Sequence, residues 1–382
     1  MADYEKNDMK DTFIDISSSK PVKVRRKGEL ALRITSLVLS IVLIIFGSGL
    51  LYYYSILSSL NFVDITGDPS STTAKSSTAA STSQDSTLPD FSQLDVDEEL
   101  LDDSKILNIM LFGEDNAYGA EYGRSDSMIM LSIDNRHKKI KLTSFMRDSY
   151  INVEGHGLDK LTHAYAYGGP KLAIQTIESN FGIKVDRYAK VDFTTFTEII
   201  DILGGIDIEL NQEEIDYINH CLYVHKQSNS RTKITDPPGI VHLNGQEALW
   251  YSRDRGLYTS YGRVFSGDDW DRTTRQRKLL ETVFNDMKDA DIGQILSIVS
   301  KVAPLVTTNL KKDEITALAY NSTKYLKYSV EQYTVPEEGQ WYYIDDSPVG
   351  SVIAYKDLDA QKKLFAEFVY EDLVKDGKII TE

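Results

Sequence analysis

The chain has 382 residues, 41% of them hydrophobic, which is enough for one large folded domain or two ordinary ones. Its formal net charge of −16 argues against sequence-independent binding of nucleic acid, because phosphate backbones are held by basic surfaces. Cys221 is the single cysteine, which excludes an intrachain disulfide and a cysteine-based zinc cluster.

The first predicted element is a transmembrane helix over residues 34–56, inside a stretch (34–63) without charged side chains. An apolar helix of roughly 20 residues spans the hydrocarbon layer, and three tyrosines at 52–54 suit the membrane interface. A cleaved signal peptide is the alternative, but the apolar core is long and lacks a small-x-small cleavage site. Basic residues precede the helix, so the positive-inside rule predicts that residues 1–33 form a cytoplasmic tail.

The chain after this helix is therefore predicted to lie outside the cell membrane. Residues 57–104 are predicted to be a disordered linker, because the Ser/Thr-rich part at 66–89 contains almost no large apolar side chains. Its last part, residues 95–103, is acidic. The remaining residues, 105–382, are predicted to form one extracellular catalytic domain.

Strand-like and helical patterns alternate from residue 106 onward. A helix is expected with Pro170 near its start and Gly182 just after its end. Alternation of this kind is typical of a layered α/β fold, so we predict a mixed sheet flanked by helices. Other predicted elements are strands at 106–113, 127–134, 139–146, 187–193 and 206–210, and a helix at 194–203.

The second half of the chain contains further helices. Asn244 is placed as an N-cap with Glu247 three residues later, which predicts a short helix ending near Tyr251. The other predicted elements are a helix at 271–288, a strand at 329–335 and a final helix at 357–374.

Several arginines stand where a charge is unexpected. Arg272 and Gln276 share a helical stripe with apolar residues and should point inward, where an arginine needs an anion. A salt bridge to a core aspartate would explain one such residue. Guanidinium groups bind phosphate oxygens bidentately, so convergence of several arginines indicates a pyrophosphate or polyphosphate ligand. The others at element ends or on inward faces are Arg124, Arg147, Arg253 and Arg255.

Two aspartates suggest a metal. Asp115 follows the first predicted strand and Asp126 precedes the second, so adjacent strand ends should bring them together. Two carboxylates with phosphate oxygens are a common way to hold Mg²⁺. Both residues could instead be turn residues or caps, and the arginines favour the metal.

Seven ordered blocks between about 106 and 288 resemble the LytR-CpsA-Psr family of bacterial cell-wall enzymes. They read LFGEDN, GRSDSMIMLSID, KLTSFMRDSYINV, DKLTHAYAYGG, LGGIDIEL, HLNGQEALWYSRDR and DDWDRTTRQRKLL. The resemblance implies a single extracellular LytR-CpsA-Psr domain that transfers an anionic glycopolymer, such as wall teichoic acid or capsular polysaccharide. The donor would be a polyprenyl-pyrophosphate carrier and the acceptor peptidoglycan, joined by a phosphodiester, in a Gram-positive-type cell envelope.

The resemblance also implies residue roles. Asp115 and Asp126 would hold Mg²⁺, with Mn²⁺ as a substitute, against the pyrophosphate. Arg147, Asp148 and Arg255 would be catalytic, with Asp148 either orienting Arg147 or acting on the acceptor hydroxyl. An apolar pocket would house the prenyl chain. The pyrophosphate oxygens would be bound by Arg124, Arg147, Lys160, Arg253, Arg255, Arg272 and Gln276.

The sequence departs from the family pattern at three places. Met146 stands where proline is usual, and Thr162 where asparagine is common. The loop 256–268 is longer than usual.

Two other functions use the same residues. In the first, water replaces the acceptor and the protein is a pyrophosphatase on lipid-linked donors, or has that side activity. In the second, the protein is a non-enzymatic surface or regulatory protein that binds polyprenyl phosphates.

Overall fold

The computed structural model describes residues 61–63, 100–115, 122–225, 233–259, 262–371, 374–375 and 378–379. Contacts divide the chain into two units, Met1–Tyr54 and Ser55–Glu382, and the described residues belong to the second. The predicted tail and transmembrane helix (1–56) and most of the predicted linker lie outside the described residues. In the part that is described, no helix combines the length and apolar character needed to cross a membrane.

The centre of the fold is a mixed sheet. The strands are β1 Asn61–Phe62, β2 Ile106–Asp115, β3 Arg124–Asp134, β4 Lys139–Phe145, β5 Tyr150–Val153, β6 Gly157–Lys160, β7 Arg187–Asp192, β8 Ile206–Leu210, β9 Gly239–Leu243, β10 Leu257–Thr259, β11 Gly262–Phe265, β12 Thr307–Thr308, β13 Ser329–Val335, β14 Trp341–Ser347, β15 Gly350–Tyr355, β16 Val374–Lys375 and β17 Lys378–Ile379. Within the described residues the largest sheet has seven strands in the order β1-β12-β7-β2-β3-β4-β13. Parallel pairs (β1/β12, β7/β2, β4/β13) occur beside antiparallel ones (β12/β7, β2/β3, β3/β4).

Helices cover this sheet. They are α1 Leu161–Phe181, α2 Phe193–Leu203, α3 Gln212–His225, α4 Gly245–Arg253, α5 Asp269–Asp286, α6 Ile292–Val302, α7 Lys312–Tyr325 and α8 Leu358–Tyr370. The predicted mixed sheet flanked by helices is confirmed.

The helix predicted with Pro170 near its start is the second segment of α1, and the segment before it was not predicted. The helix begins at Leu161 and is interrupted at Gly168 and Gly169, whose backbone angles are not helical. Gly169 has a φ of 62°, a region that favours glycine, and Pro170 then restarts the helix. The sequence signal marked this restart rather than the true beginning.

One face of the sheet packs against α1 and α8. Met110, Met130 and Phe145 of the sheet belong to the same buried cluster as Phe181 of α1 and Phe365 of α8. The rings of Phe145 and Phe365 meet edge to face with centroids 5.4 Å apart. Such pairs add about 0.5–1.5 kcal/mol beyond the burial of apolar area.

A second core lies between the β8–β9 ribbon and helices α2 to α5. The predicted capping box of α4 is present: Asn244 accepts from the amide of Glu247 at 3.0 Å, and Glu247 accepts from the amide of Asn244 at 3.1 Å. The helix continues to Arg253, two residues beyond the predicted end. Buried members of this core include Ile206, Ile208, Val241, Leu243, Ile218, Ala248 and Leu279.

The segment 256–268, expected to be a loop, contains the β10–β11 hairpin. Gly256 has a φ of 78°, and a Cβ there would lie 2.7 Å from the carbonyl oxygen of Phe265. Only glycine fits this close approach, which brings the chain back toward α5.

Candidate functional site

The predicted charged residues meet at one end of the seven-stranded sheet. β2 ends at Asp115, β3 begins at Arg124, and β4 ends two residues before Arg147. Thr162 of α1 connects the start of β3 to the chain just after β4. Its amide donates to the carbonyl of Arg147 at 2.9 Å, and its hydroxyl donates to the carbonyl of Ser125 at 3.0 Å. Acidic and basic side chains therefore lie side by side at these strand ends.

Arg147 is surrounded by carboxylates. Its Nη1 donates to Asp126 Oδ1 at 2.6 Å, its Nε donates to Asp269 Oδ2 at 2.8 Å, and Asp148 Oδ2 lies 3.4 Å from Nε. Burial disfavours the charged guanidinium, but the charges of Asp269, Asp126 and Asp148 outweigh it and raise the pKa of Arg147. The guanidinium is therefore charged and held in one orientation.

Asp269 connects three arginines. Its Oδ2 also accepts from Arg272 Nη2 at 3.2 Å, and its Oδ1 lies 3.9 Å from Arg255 Nη1. Asp269 is the first residue of α5, and the side chain of Asp268 caps that helix. No role was predicted for Asp269 from the sequence, although its position three residues before Arg272 on a helix was a usable signal.

Arg272 is buried, with 4% of its side chain exposed. Its Nη2 donates to the carbonyl of Asp126 at 3.0 Å, but in the described part of the chain its buried Nε has no hydrogen-bond partner. Burial lowers the pKa of Arg272, and Arg147 and Arg255 add to that effect while Asp269 opposes it. A buried guanidinium with an unsatisfied donor is costly unless an anion completes its contacts.

Gln276 and Arg253 border the same space from α5 and α4. Gln276 Nε2 donates to the carbonyl of Ser252 at 3.3 Å, and its buried Oε1 has no partner among the described residues. The guanidinium of Arg253 lies 4.2 Å from the ring centroid of Phe193 and 5.5 Å from that of Trp250. Stacking of this kind leaves the N–H groups at the edge of the guanidinium plane available to a ligand.

Lys160 contacts the site through Asp148. Its Nζ lies 2.9 Å from Asp148 Oδ1, while the other oxygen of that carboxylate faces Arg147. Arg255 is the open member of the cluster, with 54% of its side chain exposed.

The predicted metal ligands Asp115 and Asp126 belong to the same pair of strand ends. Asp115 is paired with Arg124 in the β2–β3 ladder, and Asp126 lies two residues along β3 from Arg124, which is exposed. Burial alone would raise the pKa of Asp126, but the charges of Arg272 and Arg147 lower it. Ionised carboxylate oxygens are ligands that Mg²⁺ prefers, so the chemistry of Asp126 suits a hard cation, with its Oδ1 already accepting from Arg147 Nη1 at 2.6 Å.

An apolar cavity opens beside the charged cluster. Its volume is about 1020 Å³, at the upper end of the range for ligand pockets. Asp126, Arg253, Arg255, Arg272 and Gln276 contribute to its wall. Apolar wall residues include Leu111, Ile129 and Ala189 of the sheet, Phe196, Ile199 and Leu203 of α2, Leu249 of α4, and Leu280 and Val283 of α5.

The cavity is polar at one end and apolar at the other. Arg272 lies in the first turn of α5, and Leu280 and Val283 follow on later turns. At 1.5 Å per residue, Arg272 and Val283 are roughly 16 Å apart along the helix axis. The space therefore suits a long molecule with an anionic head and an apolar tail.

Two family departures have structural consequences. Met146 is fully buried, and its amide donates to the carbonyl of Val335 at 2.9 Å, a hydrogen bond that proline could not make. Thr162 bonds backbone groups of Arg147 and Ser125, so it supports the site without facing a ligand.

A second acidic group lies at the other end of β3. Asp134, His137 and Glu371 could together supply three metal ligands within the described residues. However, Lys141 Nζ lies 2.9 Å from both Asp134 and Glu371, and Lys139 Nζ lies 2.8 Å from Glu371. Because two lysines occupy the space around these carboxylates, we interpret the group as an ion-pair network.

Comparisons with known sequences place this site in context. The sequence model of the LytR_cpsA_psr family matches residues 66–359. The chain is 29% identical over 260 residues to the "Polyisoprenyl-teichoic acid--peptidoglycan teichoic acid transferase TagU" of Oceanobacillus iheyensis, covering 64% of this chain and 73% of TagU. It is 29% identical over 273 residues to the "Regulatory protein MsrR" of Staphylococcus aureus, covering 71% of this chain and 76% of MsrR.

Solved structures give the same fold. "TagT bound to LIIa-WTA" superposes with a TM-score of 0.55 at 25% identity, covering 70% of this chain and 92% of TagT. The family protein YwtF (TagT) "with bound octaprenyl pyrophosphate lipid" gives a TM-score of 0.52 at 25% identity, covering 70% and 91%. TagT is a Bacillus subtilis protein.

Proposed function

Because the chain belongs to the LytR-CpsA-Psr family, we propose that it is a phosphotransferase that moves an anionic glycopolymer from a polyprenyl-pyrophosphate carrier to peptidoglycan. The glycopolymer would be a wall teichoic acid or a capsular or wall polysaccharide. A relative named as a teichoic acid transferase and a structural neighbour with bound octaprenyl pyrophosphate support this class of donor and reaction.

The observation that carries the proposal is Arg272 at the charged end of the apolar cavity. Its buried Nε lacks a partner among the described residues, and Arg147 and Arg255 lie around the same carboxylate, Asp269. A pyrophosphate bound there would complete the contacts of Arg272 and offset the mutual repulsion of the three arginines. The prenyl chain would then extend along α5 toward Val283.

The arginines would supply most of the catalysis. An acceptor sugar hydroxyl attacks the phosphorus that carries the glycopolymer; the new P–O bond forms, and the bond to the bridging oxygen breaks. Polyprenyl phosphate leaves, and the hydroxyl proton passes to solvent or to a carboxylate. Such transfers depend on positioning and charge neutralisation, which Arg147, Arg255 and Arg272 can provide.

Asp148 is better suited to orient Arg147 than to accept the proton. Its two oxygens lie 2.9 Å from Lys160 and 3.4 Å from Arg147, so both already face cations.

We also propose that Asp115 and Asp126 hold Mg²⁺, or Mn²⁺ in its place. The metal would neutralise charge on the pyrophosphate oxygens. Titration of the full-length protein with Mn²⁺, followed by electron paramagnetic resonance, should show weaker binding in Asp126→Ala than in the wild type. Equal binding would remove Asp126 from the metal site.

The proposed location follows from the same chemistry. Residues 34–56 would anchor the protein in the cell membrane with the N-terminus cytoplasmic, and the catalytic domain would face the extracellular side, where peptidoglycan is found. The lipid carrier and its acceptor would then both be accessible to one active site.

The test is incubation of the full-length protein in detergent with a synthetic polyprenyl-pyrophosphate-linked sugar, a peptidoglycan oligomer and Mg²⁺, followed by mass spectrometry. Addition of sugar phosphate to the oligomer is the expected result. Free sugar phosphate with or without the oligomer would instead establish a pyrophosphatase. Intact donor bound to the protein would favour a binding or regulatory protein, the role suggested by the name of MsrR.

A further inference from the structure

Three aromatic side chains form a surface cluster next to the charged site. The rings of Trp270 and Trp341 are stacked with centroids 4.6 Å apart, and Trp341 meets Tyr343 edge to face at 4.9 Å. The indole N–H of Trp270 donates to the hydroxyl of Tyr343 at 3.2 Å. We refer to Trp270, Trp341 and Tyr343 as the aromatic platform.

The aromatic platform is not part of a core. None of its members belongs to the buried clusters of the described residues, and Tyr343 is 50% exposed. Isolated exposed aromatic residues need no explanation, but a contiguous apolar patch on a surface usually marks a binding site. The ordered arrangement of the three rings gives such a site a defined shape.

The platform is attached to the charged site at two points. Trp270 directly follows Asp269, whose carboxylate holds Arg147. Trp341 and Tyr343 lie on the hairpin β14–β15. This hairpin is joined to the chain just after β4, because the amide of Ile353 donates to the carbonyl of Asp148 at 2.9 Å. A molecule lying on the platform would therefore reach the edge of the site.

The charges around the platform select the kind of molecule. Residues 341–347 of β14 include no lysine or arginine. The charged residues next to the platform in sequence are exposed carboxylates: Asp268 and Asp271 flank the Asp269–Trp270 pair, and Asp345 and Asp346 follow Tyr343 on β14. Carboxylates accept hydrogen bonds from sugar hydroxyls but repel a phosphate-rich polymer. Aromatic faces contact the apolar C–H face of a sugar ring.

We propose that the aromatic platform binds uncharged sugar rings of the peptidoglycan glycan strand and so positions the acceptor hydroxyl beside Arg147. This assignment rests on the transferase function proposed above. The anionic glycopolymer of the donor is excluded from the platform by like charge, so the two substrates approach the site over different surfaces.

The binding test does not require turnover. Isothermal titration of the full-length protein in detergent with an uncharged tetrasaccharide of β-1,4-linked N-acetylglucosamine, which stands in for the uncharged rings of the glycan strand, measures the platform directly in the absence of donor. Trp341→Ala should weaken binding about tenfold, and Trp341→Phe should retain most of it because a ring remains. Tyr342→Ala is the matched control, since Tyr342 is 48% exposed but lies on the opposite face of the strand.

Transfer kinetics provide the second readout. Trp341→Ala should raise KM for the peptidoglycan oligomer while KM for the lipid-linked donor stays unchanged. Equal affinity of the wild type and Trp341→Ala for the tetrasaccharide, no binding by either, or a loss confined to the donor would overturn the proposal. Platform-dependent binding without any transfer would instead contradict the transferase function and leave the platform standing.

Discussion

Asp269 accepts a hydrogen bond from Arg147 at 2.8 Å, joining the first turn of α5 to the end of β4 across 122 positions of the chain. The same carboxylate contacts Arg272 at 3.2 Å, so it sets the spacing between the two guanidinium groups. A bound pyrophosphate would compete with Asp269 for both arginines. We therefore expect Asp269 to act as a positioning residue that limits affinity for pyrophosphate while it fixes the geometry of the arginines.

Replacement of Asp269 should separate binding from turnover. Asp269→Asn removes a negative charge that competes with the ligand, so inorganic pyrophosphate should bind several-fold more tightly in calorimetry. The orientation of Arg147 should be less well fixed, and we expect kcat for glycopolymer transfer to fall about tenfold. If Asp269 were purely structural, its replacement would lower both the affinity for pyrophosphate and kcat. Weaker pyrophosphate binding in Asp269→Asn would therefore contradict the positioning role.

Loss of Arg147 should reduce transfer without unfolding the protein. Arg147→Ala removes a charged donor from the pyrophosphate, and we expect a decrease in kcat of about 10²–10³-fold. The control is Arg136→Ala, because Arg136 pairs with Asp103 at 2.7 Å and is 30% exposed, away from the cavity. A transfer rate in Arg147→Ala close to that of Arg136→Ala would remove Arg147 from the catalytic group.

Filling the cavity should affect the lipid and spare the headgroup. Ala189 of β7 lines the cavity, and Ala189→Phe would occupy space needed by the prenyl chain. We expect weaker binding of a long polyprenyl pyrophosphate, with unchanged binding of inorganic pyrophosphate, both by calorimetry. Ala317→Phe on the exposed face of α7 serves as the control. Equal losses for both ligands would indicate general disruption and not a blocked chain site.

The buried ion pair at the far end of β3 predicts a stability effect. Lys141 and Asp134 have no side-chain exposure, and their charged atoms are 2.9 Å apart. Lys141→Met would leave Asp134 buried without its cation, and we expect a loss of about 3–5 kcal/mol in the free energy of unfolding, measured in urea. Lys184→Met breaks the exposed pair with Asp102 and should cost at most about 1 kcal/mol. Similar losses in the free energy of unfolding for Lys141→Met and Lys184→Met would show that the buried pair stabilises the fold no more than the exposed one.

Local sequence patterns predicted several strands of the fold. The strand predicted at 206–210 is β8, where Ile206, Ile208 and Leu210 are buried and the residues between them are exposed. The strand predicted at 329–335 has the bounds of β13. For β8, clear periodicity along a short segment was sufficient because one face of the strand is buried.

Other elements depended on contacts that no local pattern records. The β14–β15 hairpin was not predicted, since most side chains of its first strand, such as Tyr342 and Tyr343, are exposed. Likewise, the β10–β11 hairpin depends on the close approach of Gly256 to Phe265. The break in α1 required knowledge that Gly169 adopts a positive φ.

The sequence predicted which residue types form the site, but not which side chains contact each other. Arginines at strand and helix ends pointed to an anion, and the structure brings Arg147, Arg255 and Arg272 to one carboxylate. That this carboxylate belongs to Asp269 follows from the packing of α5 against the end of β4. Such a pairing depends on tertiary structure and could not be derived from spacing along the chain.

The pH dependence of stability should reveal Glu178 of α1. Burial and the nearby charge of Asp186 raise the pKa of Glu178 to about 7, while its Oε1 accepts from the amide of Val185 at 2.9 Å. The folded protein therefore keeps this proton up to about pH 7, whereas the unfolded chain releases it near its ordinary pKa of 4.5. Stability from this group is present below pH 4.5 and is lost as the pH rises toward 7, by about 3 kcal/mol at most.

Glu178→Gln should remove this decrease of stability with pH and, at pH 8, unfold at a higher urea concentration than the wild type. Glu198→Gln on the exposed side of α2 makes the same charge change without burial and should leave the slope intact. If urea midpoints of Glu178→Gln and the wild type fall in parallel between pH 4.5 and 7, Glu178 is ionised in the folded protein and the slope belongs to another group.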